Sequence, residues 1–285
     1  MTVTAVPTEK KKAAPKTSGR HRRALEILGK WVVFACFVAV WQIVTTLAEA
    51  PYFPTPETIG KTMVDLWLSG PASQLWLSDA VFHDVVPSLL RLLGGWAAAG
   101  AVGVLLGLML GRSDKLHDYF SPTISFLRSI PPPALLPVFL VLFPIGTPMQ
   151  LATIIFGVIW PVLLNTIDGA HTLDETVVET TRSMRLSKTR FLATVVLPAA
   201  LPKIFAGLRV SLSLALILMV ISELVGAGDG IGAKMILDQR NFDLPQMWAG
   251  IVLLGILGYV LNVLLLVVQN RVIGWYIGSK SLTGR

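Results

Sequence analysis

Six apolar runs, each about as long as a bilayer is thick, constrain this chain more than any other feature. They cover about residues 31–48, 86–110, 122–143, 149–168, 203–225 and 246–268. A helix rising 1.5 Å per residue needs roughly 20 apolar residues to cross the hydrocarbon. Lipid offers no partners to backbone N–H and C=O groups, so such runs must satisfy themselves as helices. The expectation is an all-α membrane protein with six transmembrane helices. Composition agrees, since 53% of the residues are hydrophobic and 14% charged, against about a quarter charged in soluble domains. The chain reads as one transmembrane domain over 31–275, with a disordered basic tail at 1–30 and a short C-terminal tail at 276–285. The run at 31–48 is longer than a signal-peptide core and lacks a small-x-small cleavage site.

The net charge of +7 could suit nucleic acid, but the placement of the charges points to membrane topology instead. With the N-terminus inside, the inner segments hold 17 of the 24 Lys and Arg. Eight lie in 1–30, and the others are Arg112, Lys115, Arg182, Arg185, Lys188, Arg190, Arg271, Lys280 and Arg285. The outer loops hold only Lys61, Lys234 and Arg240, while Arg91, Arg128, Lys203 and Arg209 lie in or at the edges of spans. Basic residues accumulate in cytoplasmic loops. Both termini are therefore expected in the cytoplasm, and no nucleic-acid partner is expected.

The spans differ from one another. Gly103, Gly107 and Gly111 recur every four residues, so they share a helix face and admit another helix closely. Packing within the chain and a contact with a second copy both fit that face. The third run contains Pro131, Pro132, Pro133 and Pro137. Proline removes backbone donors, which in lipid is tolerated only against protein or a water-filled cavity. A helix broken beside a pathway and a merely kinked helix both follow. Outside, Thr55 is placed to cap a short helix with Pro56 first in it, and Ile59, Met63, Leu66 and Trp67 share a face. "GAGDGIG" (226–232) reads as a flexible turn.

Catalytic signatures are absent: no GxxxxGK[ST], HExxH or GxSxG occurs. Cys36 is the only cysteine, and the four histidines are scattered. No enzyme, metal site or chain-bound cofactor is expected. Ionisable groups inside lipid are functional candidates by default. Arg91 and Glu223 lie near outer helix ends, where snorkelling accounts for them. Arg128 and Arg209 lie deeper, and each can pair with a carboxylate, anchor the inner loop or meet an anionic substrate. Arg128, Asn165, Arg209 and Glu223 are the pathway or buried-charge candidates.

Between the fourth and fifth runs lies "ETTRSMRLSKTRFLATVVLP" (179–198), within an inner loop of about 171–198. Leu173 to Met184 suits one short helix, and Ser187 can cap a second that leads into the fifth span. Two such helices make a knob suited to docking into a soluble partner. Here the chain resembles the permease subunits of bacterial ABC importers. Their signature is Glu-Ala-Ala, three residues, Gly, nine residues, then Ile-x-Leu-Pro. This chain has Glu179-Thr180-Thr181, Arg185, then Val195-Val196-Leu197-Pro198 at that spacing. It departs by two threonines for alanines and by arginine for glycine. "FPTPETI", "LRSIPPPALLPVFLVLF" and "SELVGAGDGIG" resemble the branch that imports nitrate, sulfonates and taurine.

The resemblance implies a type I importer permease fold in the bacterial cell membrane. It also implies a dimer of ATP-binding subunits that use ATP and Mg2+, a second permease copy, and an extracytoplasmic binding protein. Glu179, Thr180, Thr181, Arg182, Arg185, Leu186, Ser187, Leu197 and Pro198 would form the ATPase-coupling loop, and the solute would be small and anionic. The rival class is a secondary transporter or channel without an ATPase. Inverted repeats with matching broken helices would mark it, and the sequence offers one proline-broken span.

Overall fold

The structure, a computed structural model, describes residues 19–48, 51–173, 175–184, 186–225 and 228–274. Residues 1–18 of the expected 1–30 tail, the expected tail at 276–285, and Arg185 lie outside the described residues. In chain order the helices are α1 (Gly19–Ala48), α2 (Pro56–Trp67), α3 (Val86–Gly111), α4 (Asp114–Ser129), α5 (Leu136–Leu142) and α6 (Thr147–His171). They continue with α7 (Glu175–Ser183), α8 (Lys188–Phe191), α9 (Leu197–Leu224), α10 (Ile231–Arg240) and α11 (Leu244–Val272). Regular structure among the described residues is entirely helical.

The chain divides into two compact units, 1–58 and 59–285, and the division falls inside the segment read from sequence as one membrane domain. In the first unit α1 starts at Gly19, so the end of the expected tail is helix; its apolar span is Trp31–Ala48. Thr45 and Thr46 return their hydroxyls to carbonyls of the preceding turn. The amide of Glu57 is bound by Gln42 Oε1 at 3.2 Å. As its sequence predicts, Thr55 caps α2, its hydroxyl accepting from Thr58 N–H at 3.2 Å.

In the second unit the glycine face of α3 meets α6. A Cβ on Gly95 would reach Ile154; on Gly103, Val162; on Gly107, Thr166; on Gly111, Ala170. The numbers advance together, so α3 and α6 run parallel. The chain must therefore return between them, and the stretch that does so is the proline-broken pair Asp114–Ser129 and Pro132–Leu142, which meet at 82°. Gly169 meets Ala200, Gly207 meets Asn165, and Gly157 meets Leu218, so α9 is antiparallel to α6. Gly258 against Leu216, and Arg209 bonded to Gln269, set α11 antiparallel to α9. Helices in lipid gain little hydrophobic free energy from associating, so close packing of small residues carries more of the burden. The glycines serve packing within the chain.

The core lies where α3, α6 and α9 meet, around Leu92, Ala99, Ile154, Val158, Leu218 and Met219. Hydroxyls buried there bond their own helix: Thr153 to Met149 O, Thr166 to Val162 O and Ser222 to Met219 O. Two π turns lead into the long helices, Val81–Val85 before α3 and Leu192–Val196 before α9. Each ends two residues before a proline, Pro87 or Pro198. A proline ring crowds the carbonyl four residues back and offers no N–H. Widening the ladder by one residue relieves that conflict.

Candidate functional site

The 171–198 loop folds as the two short helices its sequence predicts. In α7 the hydroxyls of Thr180 and Thr181 donate to Thr176 O at 2.7 Å and Val178 O at 2.8 Å. Threonine can thus stand where the signature has alanine without leaving an open hydroxyl. Glu179 is exposed, and its carbonyl accepts from the Ser183 hydroxyl at 3.1 Å. Ser187 caps α8: its hydroxyl accepts from Arg190 N–H at 3.4 Å and its carbonyl from Phe191 N–H at 2.8 Å. The π turn and Pro198 then carry the chain into α9.

That loop is tied to the ends of the spans. The Arg112 guanidinium, just after α3, stands 5.4 Å over the Phe191 ring of α8. It also reaches Ala170 O of α6 at 3.5 Å. Lys203 of α9 pairs with Asp168 of α6 at 2.6 Å, and His171 lies 3.7 Å from Asp114. Val196, Ala200, Leu108 and Ala170 pack beneath. Through Arg112, α8 is thereby linked to the ends of α3 and α6, and its chain continues into α9.

Glu223 and Arg91 do not snorkel. They sit at the opposite end of the same helices, 1% and 5% exposed, paired at 3.0 Å. Arg91 also binds the Asp229 carboxylate at 2.6 Å, Asp229 O at 3.3 Å and Thr147 Oγ1 at 3.2 Å. The Ser88 hydroxyl donates to Glu223 at 2.7 Å and accepts from Ile231 N–H at 2.9 Å. Gly232 N–H donates to Glu223 at 2.9 Å. The described part of "GAGDGIG" is therefore a clasp rather than a loose turn. Gly230 has φ 111°, and a Cβ there would lie 2.6 Å from the Glu223 carboxyl carbon. Only glycine fits. Sequence reasoning missed this cluster, although Ser88 and Arg91 at i,i+3 and the single acid of α9, Glu223, were its available signal.

The remaining candidates separate. Arg209 of α9 is bonded to Gln269 of α11, which makes it a tie between spans. Asn165 donates to Pro161 O at 2.8 Å and packs against Gly207. Arg128, in the last turn of α4, lines a cavity of about 560 Å³ with Ser129, Pro132, Pro133, Gly157 and Trp160, and Leu214, Ile217 and Leu218 of α9 are also in its wall. Beside the clasp, burial raises the Asp238 carboxyl above its usual range, opposed by the paired Lys234 ammonium. Among the described residues no group of His, Cys, Asp and Glu could hold a metal.

Comparison with known proteins gives concordant matches. Residues 103–274 match the family described as binding-protein-dependent transport system inner membrane component. The nitrate import permease protein NrtB of Synechocystis sp. is 30% identical over 85% of this chain and 88% of its own. The bicarbonate transport system permease protein CmpB of Synechococcus elongatus is 30% identical over 91% of this chain and 95% of its own. In fold, the chain is similar to an inward-facing structure of the MetNI methionine ABC transporter. The TM-score is 0.60 at 21% identity, covering 66% of this chain and 94% of that one.

Proposed function

Because this chain belongs to the binding-protein-dependent transport system inner membrane component family, we propose that it forms the pathway of an ATP-driven importer for a small anionic solute. It is a multi-pass permease of the bacterial plasma membrane and not itself an ATPase. The finer reading is that the 171–198 loop docks on a dimer of ATP-binding subunits hydrolysing ATP with Mg2+. A second copy of this chain completes the pathway, and an extracytoplasmic binding protein delivers the solute. Both termini and the loop lie in the cytoplasm, with 1–30 and 276–285 as tails. Anionic character is supported by the names of two relatives, which specify nitrate and bicarbonate.

The observation that carries this reading is the loop itself. An exposed acid, Glu179, stands on a short helix whose partner helix is fastened by Arg112 and continues into α9. ATP drives transport only if the ATPase binds one arrangement of those helices better than another. Glu179→Lys, tested in proteoliposomes with the cognate ATPase and binding protein, is expected to weaken ATPase association or to uncouple hydrolysis from import. The binding protein's own affinity should not change. Normal import with normal ATPase stimulation would remove Glu179 from the coupling role. Import by the unaltered chain without any ATPase would favour the secondary-transporter reading.

A further inference from the structure

We propose that the cavity at the break between α4 and α5 is a binding site for a small oxyanion, with the Arg128 guanidinium as its cation and the Trp160 indole N–H as a second donor. The proposal rests on the importer reading and deepens it by naming where in the membrane the solute is held.

Depth comes first. Gly157 faces the cavity from α6, ten residues after Thr147 and fourteen before His171. At 1.5 Å per residue that is about 15 Å and about 21 Å from the two helix ends. The cavity therefore opens near the middle of the span. An arginine there needs a partner, because a charge in hydrocarbon is costly.

Its partners are the second observation. The other cations of the spans are each engaged: Arg91 by Glu223 and Asp229, Lys203 by Asp168, Arg209 by Gln269. Arg128 has no hydrogen bond or ion pair among the described residues, and it is exposed on the cavity wall. Trp160 lines the same cavity, and its Nε1 is buried with no acceptor among the described residues. An indole N–H can only donate. Its ring is steadied by Phe156, edge to face at 5.6 Å. Two residues with unanswered donors, one of them charged, line one cavity.

The rest of the wall selects for an acceptor. Pro132, Pro133, Gly157, Leu214 and Ile217 offer no side-chain hydrogen bond, and the Ser129 hydroxyl is already given to Ser125 O at 2.7 Å. A cation would be repelled, and an uncharged solute would leave the guanidinium unpaired. A planar or tetrahedral oxyanion can take the guanidinium fork through two oxygens and the indole through a third. A low-dielectric wall strengthens that attraction. One arginine and one neutral donor also bind loosely enough for release, which conduction through a membrane requires.

The test uses the full chain assembled with its ATPase in nanodiscs, titrated with sodium nitrate and with sodium methanesulfonate, urea being the neutral control. Saturable binding of at least one anion is expected, and none of urea. R128Q should weaken that anion by roughly tenfold or more, the loss of one charge-assisted hydrogen bond. R128K should lie between, and W160F should weaken it by a smaller factor. Failure of both anions to saturate, or unchanged affinity in R128Q that keeps its melting temperature and its ATPase, overturns the site. Should R128Q fail to fold, unchanged affinity in both R128K and W160F does the same. Anion binding lost in R128Q, in a complex that imports nothing on ATP, would sink the importer reading and leave the site. ATP-driven import with unaltered KM in R128Q would sink the site and leave the importer.

Discussion

Glu223 shows how much depends on single side chains in this fold. Its two oxygens take bonds from Ser88, Arg91 and the Gly232 amide, with essentially no exposure to solvent. A carboxylate buried this way is held only because both oxygens are answered by donors. Glu223→Gln turns one acceptor oxygen into a donor facing other donors, and it removes the charge that Arg91 partly neutralises. Breaking a buried pair costs about 3–5 kcal/mol. Denaturant titration of the purified protein should show a loss of that size, with the α9–α10 turn becoming more protease-sensitive. A loss below about 1 kcal/mol would mean that Asp229 alone satisfies Arg91. A charge census of the sequence finds Arg91 and Glu223 but not their meeting, since 132 positions separate them. Snorkelling is the cheaper account until α3 and α9 are seen side by side.

At the scale of elements, the sequence is most readable where a single residue type dictates geometry. Glycine every four residues on α3 predicts a close approach, and the approach is to α6 of the same chain. At Gly107 a Cβ would lie 2.5 Å from Thr166 Cβ and 3.0 Å from Leu163 O. That neighbour is backbone, so it cannot step aside. Gly107→Val should therefore separate α3 from α6 and lower stability by about 1–3 kcal/mol, the usual range for overpacking. Gly94, where a Cβ meets nothing within 4 Å, is the control and should tolerate alanine. Wild-type melting of the Gly107→Val variant would show that the approach is not structural. The prolines of the third run likewise predict the break, Thr55 its cap and Ser187 its cap. Less was readable where a feature needs two distant segments. The clasp and the Arg209–Gln269 tie each depend on pairings that no local spacing encodes.

For the whole molecule the question is orientation. Parallel α3 and α6, with α9 antiparallel to α6, place α7 and α8 at one end of the second unit and α10 at the other. Packing alone says which loops share a side but not which side is the cytoplasm. We propose the side from the charges: the end with Arg112, Lys115 and the α7–α8 loop carries the Lys/Arg excess expected of a cytoplasmic face. With exposed Cys36 first replaced by alanine, single cysteines at Thr189 and Asn241 report the two ends. Both positions are exposed, whereas nearby Asp238 is buried against Lys234 and would report poorly. In intact cells an impermeant maleimide should label Asn241→Cys and spare Thr189→Cys, and in inverted vesicles the pattern should reverse. Labelling of both from one side would mean that an odd number of crossings does not separate them, which breaks the antiparallel course of α9. A pattern opposite in both preparations would keep every helix contact and invert only the orientation, placing the Glu179 loop where no cytoplasmic ATPase could reach it.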